Sequence, residues 1–418
     1  MISLRNVLPV ALLASSAIFP SVTLAQEQQQ QAFQLACDST DASNPPSTPL
    51  DDWINSLLQV LHDNAKFAFE QVVVGFAGTE DGYDVLEAMW EHTANGGAGE
   101  NWSLMVPSDD AFTKSGLASP YASLDAATLY SLFTYHAVPL SLSSAINASS
   151  SHTLLETLFP LPNGDGQVMI AERGQPDGLK VVSPVEAKVK TDSLDEGSSS
   201  GTLSGLELFE VDTIVTVPAT LPTILANLAT STSTSAKKSG LALYAAALNN
   251  TKTLNTLTGF GSGGSKGLTI FAPVDEAFDG SMTSGDVAAW TKVLAGHYSP
   301  TQTLYSNEFA NTGAKVFMSN GNAITFTTNS SGTFAVSSDG YSSAKILRSD
   351  VLLQGGGVLH VVDTLLSAAA LQTAGPGGKN GTGPAGGVGF NLNGGAAKTQ
   401  AGAMVAAFAL AVGFFGLI

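Results

Sequence analysis

Apolar and polar positions change their period along this chain in a fixed order, and the order occurs twice. Trp53, Leu57, Leu58 and Leu61 recur at helical spacing, predicting a helix over Asp51–Asp63. Val85, Leu86 and Met89 do the same within Tyr83–His92. The apolar run Trp102-Ser103-Leu104-Met105-Val106 then reads as a buried strand, and Pro107, which has no N–H for a sheet ladder, ends it. Past the proline, Asp109 or Asp110 is placed to cap a helix, with Phe112 folding back onto the strand. A helical pattern over Leu124–Tyr135 ends at His136 and Pro139. The period then falls to two, predicting strands at Gln167–Glu172, Leu179–Val182, Ala187–Lys190 and Leu206–Val215. Ser141–Leu161 and Gly197–Gly205 read as loop insertions.

The second half repeats this plan. Helices fit Leu221–Ala229 and Leu241–Asn249, separated by the Ser/Thr run Thr230–Ser235. Leu268-Thr269-Ile270-Phe271-Ala272-Pro273 is the second apolar run ending in proline, and Asp275 and Phe278 follow it. A helix over Asp286–His297 precedes Pro300. Strands fit Lys315–Ser319, Ala323–Thr328, Thr333–Val336, Ala344–Leu347 and Val358–Leu366. Three landmarks therefore recur: the strand-Pro-acid-Ala-Phe stretch, a helix-ending His with Pro three residues on, and a closing strand that runs into Asp212 or Asp363.

This trio resembles the fasciclin (FAS1) family. The resemblance implies an α+β fold of two tandem fasciclin-like domains, 50–216 and 219–368, each with N-terminal helices packed on a mostly antiparallel β-sheet. It also implies adhesion. The family's Tyr-His region falls on Tyr135 and His136, and in the second half on His297, where Gly296 replaces the tyrosine. The family's adhesive Asp-Ile element falls near Asp350 and Val351, with Val in place of Ile. Phe209 stands where the second half has His360. Beside these binding roles stands a plainer reading of the same residues. A histidine at a helix C-terminus suits the helix dipole and can hydrogen-bond across a core. Asp212, Asp363 and Asp350 suit strand-end or turn hydrogen bonds.

Charge narrows the partners. The 418 residues include 17 basic and 35 acidic ones, a net charge of −18, which argues against nucleic acid, since that requires a basic face. It equally disfavours an electrostatic grip on anionic lipid. The lone cysteine, Cys37, can form no disulfide within the chain, so the domains must be held by their own cores, and with no neighbouring base it is not read as catalytic. Residues 1–25 read as a secretory signal peptide and 26–49 as a disordered Gln/Ser/Pro-rich segment. Residues 369–400 read as a Gly/Ala/Asn-rich stalk, and 401–418 as a hydrophobic GPI-attachment signal with attachment at Asn393 or Gly394. A tail-anchored helix is the alternative for that tail, which is short for a span. Sequons at Asn101, Asn147, Asn249, Asn329 and Asn380 are candidate glycan sites, the last four in loop-like text. The whole layout resembles fungal GPI-anchored proteins with two tandem FAS1 domains.

Catalytic motifs fail on context. Gly263-Gly264-Ser265-Lys266-Gly267 matches G-x-S-x-G, and Gly259–Gly264 matches G-x-G-x-x-G, but both precede a strand rather than open a helix. They read as one flexible loop. No catalytic, cofactor or metal residue is assigned. The expectation is a non-enzymatic extracellular protein at the outer leaflet or cell wall. Its partners would be a surface, matrix or wall protein or glycan, like or unlike itself, with membrane attachment through the lipid anchor. The alternatives are an extracellular wall- or glycan-processing enzyme and a structural wall component.

Overall fold

The computed structural model describes residues 48–94, 101–147, 152–174, 178–183, 186–194, 203, 205–229, 240–262, 267–278, 287–310, 314–338 and 342–366. The stretches read as signal peptide, Gln/Ser/Pro-rich segment, stalk and attachment signal, with Cys37, Asn380, Asn393 and Gly394, lie outside them. The chain divides into two compact units. The first holds Met1–Ser150, Arg173–Val181 and Glu186–Val215; the second holds Ser151–Glu172, Val182–Val185 and everything from Thr216.

The first unit opens with helix α1 (Pro49–Asp63). Thr48 starts it with a reciprocal cap: its Oγ1 accepts from Asp51 N–H, and the Asp51 carboxylate accepts from Thr48 N–H. Pro49 fits the first helical position, where no donor is needed. Helices α2 (Phe67–Ala77) and α3 (Glu80–Ala94) follow. Helix α2 is the centre of the unit, with Phe69, Val72, Val73 and Phe76 wholly buried. Gly75 lets the turn Tyr121–Ser123 lie against it: a Cβ there would stand 2.8 Å from Ala122 O. Strand β1 (Trp102–Pro107), helix α4 (Asp109–Ser115), helix α5 (Ala126–His136), strand β2 (Ala137–Val138) and helix α6 (Leu142–Asn147) complete this half of the sequence.

Five strands follow. They are β3 (His152–Pro160), β4 (Gly166–Gly174), β5 (Gly178–Val182), β6 (Glu186–Ser193) and β7 (Leu206–Val211). Within the first unit the strands lie in the order β2-β1-β7-β6-β5. The central pair is parallel, from Trp102 opposite Leu206 to Pro107 opposite Val211, whereas β2 joins β1 antiparallel.

The second unit is built the same way. Helices α7 (Leu221–Ala229), α8 (Ala242–Asn250) and α9 (Thr253–Ser262) precede strand β8 (Leu268–Pro273), helix α10 (Val287–Ala295) and strand β9 (Tyr298–Ser299). Strands β10 (Lys315–Phe317), β11 (Ala323–Asn329), β12 (Gly332–Ser337), β13 (Ser343–Leu353) and β14 (Gly357–Val362) follow, and the sheet order is β9-β8-β14-β13-β12-β11-β10. Again the first and last strands form the parallel pair, β8 with β14, and the remaining pairs are antiparallel. Leu225, Leu241, Tyr244, Leu248, Ile270, Leu294 and Leu359 fill the core between helices and sheet. The antiparallel hairpin of β3 and β4 belongs to this unit as well.

Several expectations are corrected here. Helices α2 and α9 and strand β3 stand where the pattern gave no element or a loop, and α9 covers Gly259 and Gly261 of the glycine-rich stretch. Both closing strands stop early, at Val211 and Val362. Nor do the aspartates after the prolines cap their own helices. Ser108 caps α4, with Oγ 3.2 Å from Ala111 N. Asp109 instead reaches back to the start of α2, its Oδ1 accepting from Ala68 N–H at 3.0 Å. Asp275 does the same for α8, accepting from Leu243 N–H at 2.7 Å. Burial pushes both carboxyls up, and the amide bonds oppose that shift. Asp109→Ala and Asp275→Ala are each expected to cost about 1 kcal/mol, with Asn recovering most of it, as read from urea midpoints.

Candidate functional site

The sequence places its binding candidates at the end of α5, at the end of α10 and late in β13. Tyr135 and His136 are fully buried. The His136 Nδ1–H donates to Leu132 O at 2.6 Å, one helical turn back, and Nε2 accepts from Val215 N–H at 3.1 Å. His297 repeats the arrangement, with Val293 O at 2.9 Å and Leu366 N at 2.9 Å. A helix end leaves carbonyls without partners, and the ring satisfies one of them. Its other nitrogen secures the chain just beyond the closing strand. Both nitrogens are used only by the neutral ring. Burial, opposed by the carbonyl bond, pushes each imidazole down to about 4. Each histidine is thus a latch between the last turn of a helix and the end of its unit. Tyr135, His136 and His297 lie out of reach of a partner surface.

Asp212 and Asp363 form the second repeated device, a clasp between strands. Each carboxylate Oδ1 accepts a main-chain N–H from the adjacent strand at 2.8 Å, Lys188 in one unit and Lys345 in the other. Each also accepts from the threonine that follows it, Thr213 or Thr364. This is the strand-end hydrogen bond that the sequence suggested.

Asp350 is held more tightly. Its backbone has φ +55°, a left-handed conformation that Asp tolerates better than most residues. Its Oδ1 accepts from Ser306 N–H at 2.9 Å, and its Oδ2 accepts from the Ser306 hydroxyl. Asp350 N–H donates to His360 Nδ1 at 3.2 Å, and His360 Nε2–H donates to Leu304 O at 2.9 Å. His152 Nε2 lies 3.7 Å from Asp350 Oδ2. Val351 is buried. Asp350 and Val351 therefore serve the β13 irregularity next to β14 rather than a free surface. Sequence reading missed Ser306 and His152, whose partners lie far along the chain.

A Ser, an Asp and two His residues do meet here, but not in a nucleophile's order. An activated serine donates to an imidazole, and the imidazole to a carboxylate. Here the hydroxyl faces the carboxylate directly, and both His360 nitrogens are committed to main chain. Burial pushes the His360 imidazole down, against Asp350 and the Leu304 carbonyl. At the equivalent sheet position the first unit has the buried Phe209, opposite Met105 as His360 is opposite Phe271.

The glycan candidates divide. Asn249 and Asn329 are exposed, though they sit on the last turn of α8 and the end of β11 instead of in loops. Asn147 ends α6. Asn101 is exposed just before β1, and its amide donates to Glu207 Oε1 at 3.3 Å. Ser141 Oγ and Ser143 N–H also donate to Glu207. Burial raises that carboxyl, but these bonds together carry it below its ordinary range. Among the described residues no group of three or more His, Cys, Asp or Glu side chains could hold a metal ion. No helix among them is long and apolar enough to cross a membrane.

Two α+β units, each with helices leading, first and last strands paired in parallel, and the same latch and clasp, define a tandem repeat. Residues 239–368 match the family model for the Fasciclin domain. Among solved structures, a FAS1 domain pair from the insect cell adhesion molecule fasciclin I is similar at 13% identity and a TM-score of 0.30. That likeness covers 76% of this chain and 98% of the other. No curated protein matches.

Proposed function

We propose that this chain is a non-enzymatic surface protein that presents two fasciclin-like domains, 50–216 and 219–368, for adhesion. It would sit at the outer leaflet or in the wall on a GPI-anchored stalk attached at Asn393 or Gly394. Its partner would be a surface, matrix or wall protein or glycan, or a second copy. The observation that supports this most is the Fasciclin match over residues 239–368, with the same latch and clasp repeated in the first half. Latch and clasp alike spend their polar side chains on hydrogen bonds within the fold, which leaves recognition to exposed faces. A net charge of −18 points away from nucleic acid. Display of many anchored copies turns weak contacts into avidity.

Phosphatidylinositol-specific phospholipase C is expected to release the protein from cells. Beads coated with the released chain are then expected to aggregate, or to bind wall or matrix material. Retention after the lipase would sink the anchor. Inert beads at every coating density would sink the adhesive role.

A further inference from the structure

An apolar hollow of about 530 Å³ opens within the second unit. Leu221, Leu257, Leu268 and Leu353 form its floor, and all four are buried. Leu161 and Pro222 stand among its walls, and no charged side chain lines it.

The polar groups at its edge already have partners. Thr220 Oγ1 pairs with Thr223 Oγ1, and Thr258 Oγ1 donates to Asn255 O. The main-chain carbonyl of Leu353 accepts from Gln167 Nε2, and Gly355 N–H donates to Gln167 Oε1. Gln354 N–H donates to Ala219 O.

That chemistry selects an occupant. A peptide would bring N–H and C=O groups that these walls do not meet, and unmet polar groups are costly to bury. A buried charge would be worse placed still. A hydrocarbon needs neither, and apolar cavities of this kind take apolar guests. The volume equals about eighteen water-sized volumes at roughly 30 Å³ each, and it falls within the usual range for ligand pockets. We propose that the hollow holds a single alkyl chain of an uncharged amphiphile, with the head group outward past Thr258 and Gln354. This is a lipid-chain site separate from adhesion, and it does not depend on the adhesive reading.

The probe is 1-dodecanol, titrated calorimetrically into the full chain. Saturable binding of one molecule per chain is expected. Thr258→Trp and Gln354→Trp substitute exposed rim positions and block the mouth. Each is expected to weaken binding at least tenfold without moving the thermal midpoint. Either variant alone suffices should the other fail to fold. Absence of saturable binding would overturn the proposal. So would binding at several equivalents that neither substitution alters, or a proline-rich peptide that fills the site and resists displacement by dodecanol.

Discussion

Lowering the pH from 6.5 to 4 is expected to destabilise each unit by about 3 kcal/mol through its latch histidine alone. His136 and His297 are held neutral, with pKa values pushed from 6.5 to about 4 by burial. In the unfolded chain each ring returns to its ordinary value. Between those limits the unfolded state binds the extra proton, so acid favours it. The latch contribution is therefore complete above 6.5 and is lost as pH falls, with about 2 kcal/mol gone by pH 5. Burial also pushes His360 down, so it acts in the same sense. Asp109 and Asp275 act in the opposite sense, since their folded pKa values are raised and their protonation favours the folded state. Their slope is opposite in sign, so a loss of stability between pH 7 and 5 is not theirs. Denaturant midpoints across that interval are expected to fall steeply in the parent chain. They should fall less steeply in His136→Asn and His297→Asn, which start less stable. Equal slopes in all three would remove the latch from the explanation.

The second large effect belongs to Phe69. It is wholly buried on α2, and its ring centroid lies 6.5 Å from that of Phe112, 6.2 Å from Phe133 and 6.2 Å from His136. The side chain thus joins the first helices, the Pro-anchored stretch and the latch in one cluster. Phe69→Ala is expected to cost about 3–5 kcal/mol, the range for emptying an aromatic core site. Thermal unfolding should show a large drop in the first unit's midpoint. Val287→Ala, at an exposed position of α10, should leave unfolding unchanged.

Helix α2 also explains why part of the fold escaped sequence reading. Its sequence, Phe-Ala-Phe-Glu-Gln-Val-Val-Val-Gly-Phe-Ala, is apolar on most sides and rich in β-branched residues. A helix buried nearly all round has no amphipathic stripe to detect. Helix α1 was legible for the opposite reason: one face carries Trp53, Leu57 and Leu61, and the other is polar. Helix α9 was hidden by Gly259 and Gly261, which lower helix propensity until packing overrides it. At the repeated sites the important residues were legible, but their partners were not. His136 and Asp109 stand out by position. Nothing local shows that one holds Val215 and the other caps a helix 41 residues upstream. Long-range hydrogen bonds leave no periodic trace. The Ser306–Asp350 pair was missed on the same ground, since its members come from segments 44 residues apart.

The parallel pairing of first and last strands carries a consequence for biosynthesis. Strand β1 meets β7, and β8 meets β14, across separations of about ninety to a hundred residues. Ladders of that span close slowly, because the intervening loop must be ordered before it is rewarded. A ribosome adding about 5–20 residues each second would expose the opening strand for several seconds before its neighbour emerges. During that delay β2 or β9 can cover one edge of the opening strand, but its other edge has no mate in its own chain. The strand order thus leaves an open edge that early chaperone capture would cover.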